Sequence, residues 1–327
     1  MAKNRFLDIY TLLLDSLAAD WRIDEVVIGL TWTWCRTHGT GLAMGPEQAN
    51  RTLPWSGTLR GRSLQDVAQW ILSWNPIEAS VAMAAINSCV NDGNPLLAQA
   101  TPIAPAGVPA NLAVFEHFLP QLQHRKVVVV GRYPGLERYA QQLELTVLER
   151  RPGAADLPDQ ACEYILPQAD WVFLSASTLT NKTFPRLAEL AKDSQLVLMG
   201  PTVPWLSELA EFGVDFLAGA AVIDNEQLKH TVAEGGGTRI FDSALEYRVA
   251  DLREVELHWH RLAIEDLVAR REQLKQEMER WYESKSFARR FPRWQELMNI
   301  DDELSRLDSR FKHLWDETRG KPALVAC

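Results

Sequence analysis

Apolar and polar positions fall into three stretches of different rhythm along the chain. From Arg5 to Ala19 the apolar residues Phe6, Ile9, Leu13, Leu14 and Leu17 recur at helical spacing. Asp24 to Trp34 is rich in Val, Ile, Thr and Trp and has the length of a strand, while Gly39 and Gly41 mark a turn into a second one. Ser63 is placed to cap a helix from Leu64 to Ser73, and Asn75-Pro76 opens another that runs to about Val90. These elements predict a small α+β domain over residues 1–94. A Pro- and Ala-rich stretch, 95–110, reads as a linker.

The second stretch, 111–242, alternates. Val127–Val130, Leu145–Leu148, Trp171–Leu174, Leu196–Met199 and a shorter Phe216–Gly219 are apolar on both faces, as buried parallel strands are. Helical segments, Leu136–Gln142 and Phe184–Lys192, fall between them. The pattern predicts an α/β fold of doubly wound, Rossmann-like type, whose ligands sit outside the carboxyl ends of the strands. From Ser243 the rhythm changes to three-four spacing, through Leu252, Val255, Trp259, Leu262, Leu267, Leu274, Met278 and Trp281. A break at Ser284–Phe291 precedes a second stripe from Trp294 to Trp315. Residues 243–327 are thus expected to form an antiparallel helical hairpin of the coiled-coil kind.

Composition narrows the function. A net charge of −9 argues against a general nucleic-acid binder, whose affinity rests on neutralising phosphates. The apolar runs are strand-sized, well short of the ~20 residues that span a membrane. No apolar leader follows Met1, and Cys35, Cys89, Cys162 and Cys327 are scattered without paired spacing. A cytoplasmic protein with reduced thiols is expected.

The turn after the first parallel strand reads Gly131-Arg132-Tyr133-Pro134-Gly135 rather than G-x-G-x-x-G. Pro134 removes an amide donor and Arg132 replaces a small residue, so NAD is not expected, although Glu149 stands where a ribose-binding acid would. Thr178, Asn181 and Thr183 follow one strand, and Gly200-Pro201-Thr202 follow the next. Their hydroxyls, amide and backbone N–H groups suit an oxyanion, carboxylate or phosphate; equally, Thr and Asn at such a turn cap the helix that begins near Phe184. Cys35-Arg36-Thr37-His38 places two donors that a turn could bring to one metal ion, against the alternative of a buried thiol and a surface imidazole. Cys327 is a further thiol, and His258 and His260 lie two apart on a helix and share no face. In the hairpin, Trp259, Trp281, Trp294 and Trp315, with Lys285, Arg289, Arg290 and Arg293, either pack the helices together and lie in solvent, or dock a partner or a second copy across residues 245–318.

An ordered series of short motifs resembles a heavy-metal-chelation family. It runs through Val130-Gly131-Arg132-Tyr133-Pro134, Glu149-Arg150-Arg151-Pro152, Asp156-Leu157-Pro158-Asp159, Leu166-Pro167-Gln168-Ala169-Asp170, Thr178-Leu179-Thr180-Asn181-Lys182-Thr183, Gly200-Pro201-Thr202-Val203-Pro204, Gly213-Val214-Asp215 and Leu217-Ala218-Gly219. In the first domain Ile28-Gly29-Leu30-Thr31-Trp32-Thr33 and Ala84-Ala85-Ile86-Asn87-Ser88 continue it. The resemblance implies an enolase-N-terminal-like domain joined to a Rossmann-like domain, with a ligand cleft between them that includes Asn87. Arg132-Tyr133 and Ala154-Ala155 depart from the family pattern, and the hairpin lies outside its common core. The expected function is that of an accessory protein handling a metal or metallocofactor, with a transition metal or an anionic metal complex as ligand. The alternatives are an enzyme acting on a small anionic metabolite in the same cleft, for which Glu149, Asp156 and Asp159 are the acid–base candidates, and a ligand-sensing adaptor.

Overall fold

A helix buried on all sides organises the first lobe. In the computed structural model, residues 5–17, 20–47, 52–284 and 290–319 are described, and the chain divides into two compact units, Met1–Ala250 and Asp251–Cys327. Helix α1 (Arg5–Asp15) comes first, then the antiparallel strands β1 (Glu25–Ile28), β2 (Trp32–Arg36) and β3 (Thr40–Met44), then the short α2 (Leu64–Ala68) and the central α3 (Pro76–Val90). Asn75 caps α3 by accepting from the Ile77 and Glu78 amides, and Pro76 fills the first turn, where its missing N–H costs nothing. Along α3 every residue from Ala79 to Val90 is buried. Small Ala and Ser positions allow the close approach, and the buried hydroxyls are paired, Ser80 to Thr33 and Ser88 to Thr37, each at 2.9 Å. Ser63 makes no side-chain cap; it bridges to Arg22 instead.

The second lobe is built on one sheet. Its elements are α4 (Pro95–Gln99), β4 (Thr101–Ile103), α5 (Ala113–Leu122), β5 (Lys126–Val130), β6 (Glu144–Glu149), β7 (Leu157–Pro158), α6 (Cys162–Ile165), β8 (Trp171–Ser175), α7 (Ser177–Thr180), α8 (Phe184–Leu190), β9 (Gln195–Met199), β10 (Phe216–Val222), α9 (Asn225–Ala233) and β11 (Leu245–Asp251). Among the described residues the strands lie in the order β4-β11-β10-β9-β8-β5-β6-β7. From β10 across to β7 neighbouring strands pair in parallel. The chain starts at β5, winds outward through β6 and β7, then returns to β8 on the other side of β5. That reversal makes β5/β8 the topological switch point of a Rossmann-like sheet. One face of the sheet is packed by α5, whose Phe115 and Phe118 meet Phe173, Trp171 and Phe216 at ring-centroid distances of 5.0–5.4 Å.

Two segments behave differently from their sequence pattern. The Pro/Ala-rich stretch supplies α4 and β4, and β4 pairs antiparallel with β11. Residues 245–251, placed with the hairpin by their position, form that strand: Leu245, Tyr247 and Val249 are buried, and Glu246 and Arg248 alternate with them. The crossovers at the switch point are also shorter than expected. After β5 there is a 3-10 turn at Leu136–Tyr139 where a helix to Gln142 is expected, and after β8 the four residues of α7 precede the seven of α8.

The second unit comprises α10 (Leu252–Ser284) and α11 (Trp294–Arg319). Leu267, Leu274, Leu297 and Ile300 are buried between them, with Met278, Leu304 and Leu307 against that cluster. Ion pairs Arg293–Glu277, Arg270–Glu296 and Arg271–Asp301 show residue numbers rising on one helix as they fall on the other, which makes the pair antiparallel. Arg290 stands 4.9 Å over the Trp294 ring. Lys285, Arg289 and Cys327, and the side chains of His258, Trp259 and His260, lie outside the described residues. Among those described, no helix is long and apolar enough to cross a membrane.

Candidate ligand cleft and strand-end crevice

Gly131 and Gly200 end β5 and β9 with φ near +103° and +111°, a backbone state that disfavours side chains. Both glycines let groups crowd the switch point. A Cβ on Gly131 would stand 3.4 Å from that of Ser175, and one on Gly200 would stand 3.8 Å from the Tyr133 hydroxyl. Tyr133 is hydrogen-bonded to Ser175, and Ser175 to Ser177 at 2.9 Å, so a chain of three hydroxyls lines the crevice between β5 and β8. Burial pushes the Tyr133 phenol up to about 12, which keeps it a proton donor near neutrality. Sequence reasoning passed over Tyr133, Ser175 and Ser177. The topology is what selects them, because only the strand order shows that β5 and β8 are neighbours.

The backbone donors at these strand ends are already used. Gly131 N donates to Leu148 O, Gly200 N to Ala218 O, and Thr183 N to Thr178 O. No long helix starts at the switch point, so there is no helix-dipole cradle for a phosphate there. Glu149 accepts from the Arg132 amide at 2.9 Å and the Arg151 amide at 3.1 Å. Asp156 accepts from Gly153 N and is paired with the Arg132 guanidinium, which holds its carboxyl below the usual range. Arg150 faces Asp159 at 3.6 Å. Glu149 and Asp156 are thus spent on anchoring loops, while Asp159 meets Arg150 and keeps its Oδ1 buried without a partner among the described residues.

Thr178, Asn181 and Thr183 are engaged locally. Thr178 is buried and donates to Ser175 O at 2.7 Å, while Asn181 accepts from both the Thr183 amide and hydroxyl in an exposed turn. Between Asn181 and Thr183 stands Lys182, which the sequence reading did not single out. Its φ of +68° is unusual for a residue with a side chain, and its ammonium has only Thr180 O as a partner among the described residues. Burial without a counter-ion lowers it to about 8.

Thr202 and Asn87 meet at the seam between the lobes. Asn87 is fully buried and donates to both Leu42 O and Thr202 O at 2.9 Å, while the Thr202 hydroxyl accepts from Met44 N at 2.9 Å. The Asn87 Oδ1 is buried without a partner among the described residues. Asn94 and Asn91 continue the seam, Asn94 donating to Trp205 O and Asn91 accepting from Trp205 N.

Beside this seam lies a cavity of about 300 Å³ walled by both lobes. His38, Thr40 and Asp92 come from the first lobe, and Pro201, Asn225 and Arg248 from the second. The Thr40 hydroxyl is buried without a partner among the described residues. His38 reaches the cavity with its ring 4.5 Å from that of Trp21, whereas Cys35 is sealed inside β2, where burial raises its thiol to about 12. The two members of the Cys35/His38 pair therefore differ: the imidazole lines a cavity and the thiol does not. Among the described residues no group of three or more His, Cys, Asp or Glu side chains converges to hold an ion. That donor set does not fit a resident, closed metal site, which takes four such ligands.

Comparison with known proteins places this geometry. Two family models match the chain, DUF4213 over residues 10–90 and DUF364 over 113–251, both described as "Putative heavy-metal chelation". An uncharacterized protein of Methanocaldococcus jannaschii is 32% identical over 108 residues, which span 31% of this chain and 42% of that protein. The chain thus covers less than half of that relative's length. A crystal structure of a DUF364 protein of unknown function from Pyrococcus horikoshii, 23% identical, has a TM-score of 0.62 over 76% of this chain and 99% of its own, a likeness of fold. Another, from Desulfitobacterium hafniense, is 30% identical with a TM-score of 0.66, matched over 77% of this chain and 100% of its own. With the two modules in order and that relative covered end to end, the chain belongs to the DUF364 family, whose description is "Putative heavy-metal chelation".

Proposed function

We propose that this protein binds a small anionic metal complex as cargo in the cleft between its two lobes, and does not chelate a bare ion. The observation that carries the reading is the cavity of about 300 Å³ whose walls come from both lobes, set against a donor inventory without a three-ligand cluster. A complex that brings its own ligands needs neutral and cationic hydrogen-bond donors around it, and one replaceable contact to the metal. Asn225 and Thr40 supply the neutral donors, Arg248 adds a cationic wall although it is paired with Glu246 and donates to Leu97 O, and the His38 imidazole suits the metal contact. An enzyme on a small anion is supported less, since Glu149 is spent on loop amides and Asp156 on Arg132 and the Gly153 amide. The hairpin lies outside both matched family segments, and we assign it the docking of a partner or second copy.

Native mass spectrometry of protein purified without oxygen from its own cells, with metal analysis of the same sample, tests this. The expected result is a mass increment that contains a metal and exceeds a bare ion, lost in His38→Ala and Asn225→Ala. An increment equal to a naked ion, or one that survives both substitutions, would overturn it.

A further inference from the structure

A cavity of about 660 Å³ lies away from the cleft, along the outer edge of β1. Among the described residues β1 pairs with β2 alone in the three-stranded sheet, and its other edge carries no strand. That edge is closed at its start, where Ile23 N donates to Arg62 O and Gly61 N to Ile23 O. Beyond Ile23 the chain at 53–60 swings away and becomes the opposite wall of the cavity. The wall is a built one. Ser56 Oγ donates to Leu53 O at 2.8 Å and Thr58 Oγ1 to Trp55 O at 2.7 Å, Leu59 is buried, and Trp55 packs on Trp70 at 5.0 Å.

Register decides what the edge offers. Glu25 lies opposite Arg36 and Val27 opposite Trp34, and Gly29 N donates to Trp32 O at 2.9 Å. Antiparallel pairs alternate between bonded and non-bonded, so these odd-numbered residues spend their backbone groups on β2. Val26 and Ile28 turn their amides and carbonyls to the cavity. The Trp55 ring lines the facing wall, and its indole N–H is buried beneath that surface without a partner among the described residues. At the cavity walls Asp24 and Arg60 have no ionic partner there either, whereas Glu25 and Arg36 are tied to Lys229 and Glu226 of α9. An edge strand with free ladder groups, a facing wall and unspent donors is the arrangement that accepts an added strand.

We infer that this cavity binds an extended peptide segment, which pairs with Val26 and Ile28 and presents a carboxylate to Arg60 and an ammonium to Asp24. The site is separate from the lobe cleft, so it stands or falls independently of the metal reading.

The test is selection of a random heptapeptide display library on the intact protein, with the double variant Asp24→Lys/Arg60→Glu as the control. The selected peptide is then titrated into ¹⁵N-labelled protein. Expected are enrichment on the wild-type chain alone, a shift of the Trp55 indole N–H, slowed amide exchange at Val26 and Ile28, and roughly tenfold weaker binding to the charge-reversed variant. N-methylation of the peptide at the residues facing Val26 should abolish binding. No enrichment over the control overturns the inference. So does a selected peptide that leaves the three backbone and indole signals unmoved, or one that tolerates N-methylation.

Discussion

The seam between the two lobes and the helical hairpin are both long-range interfaces, yet they are built from opposite materials. At the seam, buried polar side chains hold backbone groups: Asn87 spans the Leu42 and Thr202 carbonyls, Thr202 receives the Met44 amide, and Tyr10 donates to Leu179 O at 2.9 Å. In the hairpin an apolar stripe is flanked by ion pairs that water reaches. The difference is one of leverage. A buried amide that loses its role strands two carbonyls away from solvent, while an exposed charge that loses its partner is simply hydrated. A seam of the first kind fixes geometry, which a ligand cleft needs. A hairpin of the second kind tolerates surface change and draws its stability from a few Leu and Ile residues.

The contrast breaks most readily at the hairpin stripe. Leu274→Ala should cost about 3 kcal/mol, with faster hydrogen exchange confined to α10 and α11. A loss under about 1 kcal/mol would mean that the stripe is not what holds the helices. At the seam, Asn87→Ala should cost about 2 kcal/mol in urea unfolding, from two stranded carbonyls and a small void. An unchanged midpoint would show that the carbonyls find other donors.

Lys182 sharpens the comparison through pH. Its ammonium is lowered to about 8 in the folded chain from 10.5, so between those values the unfolded chain holds the extra proton. The penalty for burying the charge is therefore complete below about 8 and fades as pH rises from there toward 10.5. Lys182→Met should stabilise the protein by about 1 kcal/mol at neutral pH, and the gain over wild type should shrink in alkali. A gain that is flat with pH would remove the unpaired charge as its cause. The smallest effect is expected for Arg271→Ala, which breaks the pair with Asp301 at 2.5 Å; about 0.5 kcal/mol or less should be lost, and less still in high salt.

The parallel strands were legible because Val127–Val130, Trp171–Leu174 and Leu196–Met199 are apolar on both faces, a pattern that only a sheet covered on both sides allows. The hairpin was legible in its three-four spacing, and α3 in Asn75-Pro76. β11 carried a signal too, since Leu245, Tyr247 and Val249 alternate with Glu246 and Arg248, but its partner β4 stands far away in the chain and looked like linker.

By itself, then, the sequence determined which segments are strands or helices and which family pattern they follow, because local periodicity reports the faces that must be buried. Tertiary structure alone decided the order of the strands, and with it the meeting of Gly131 and Ser175 at the switch point. It also decided that Glu149 and Asp156 are spent on loop amides and on Arg132, that His38 lines a cavity while Cys35 is sealed, and that the outer edge of β1 carries no strand among the described residues. Each of these depends on who the neighbour is across space. A hydroxyl, a carboxylate or an amide has the same composition whether its hydrogen bonds are spent or free, and only packing determines which.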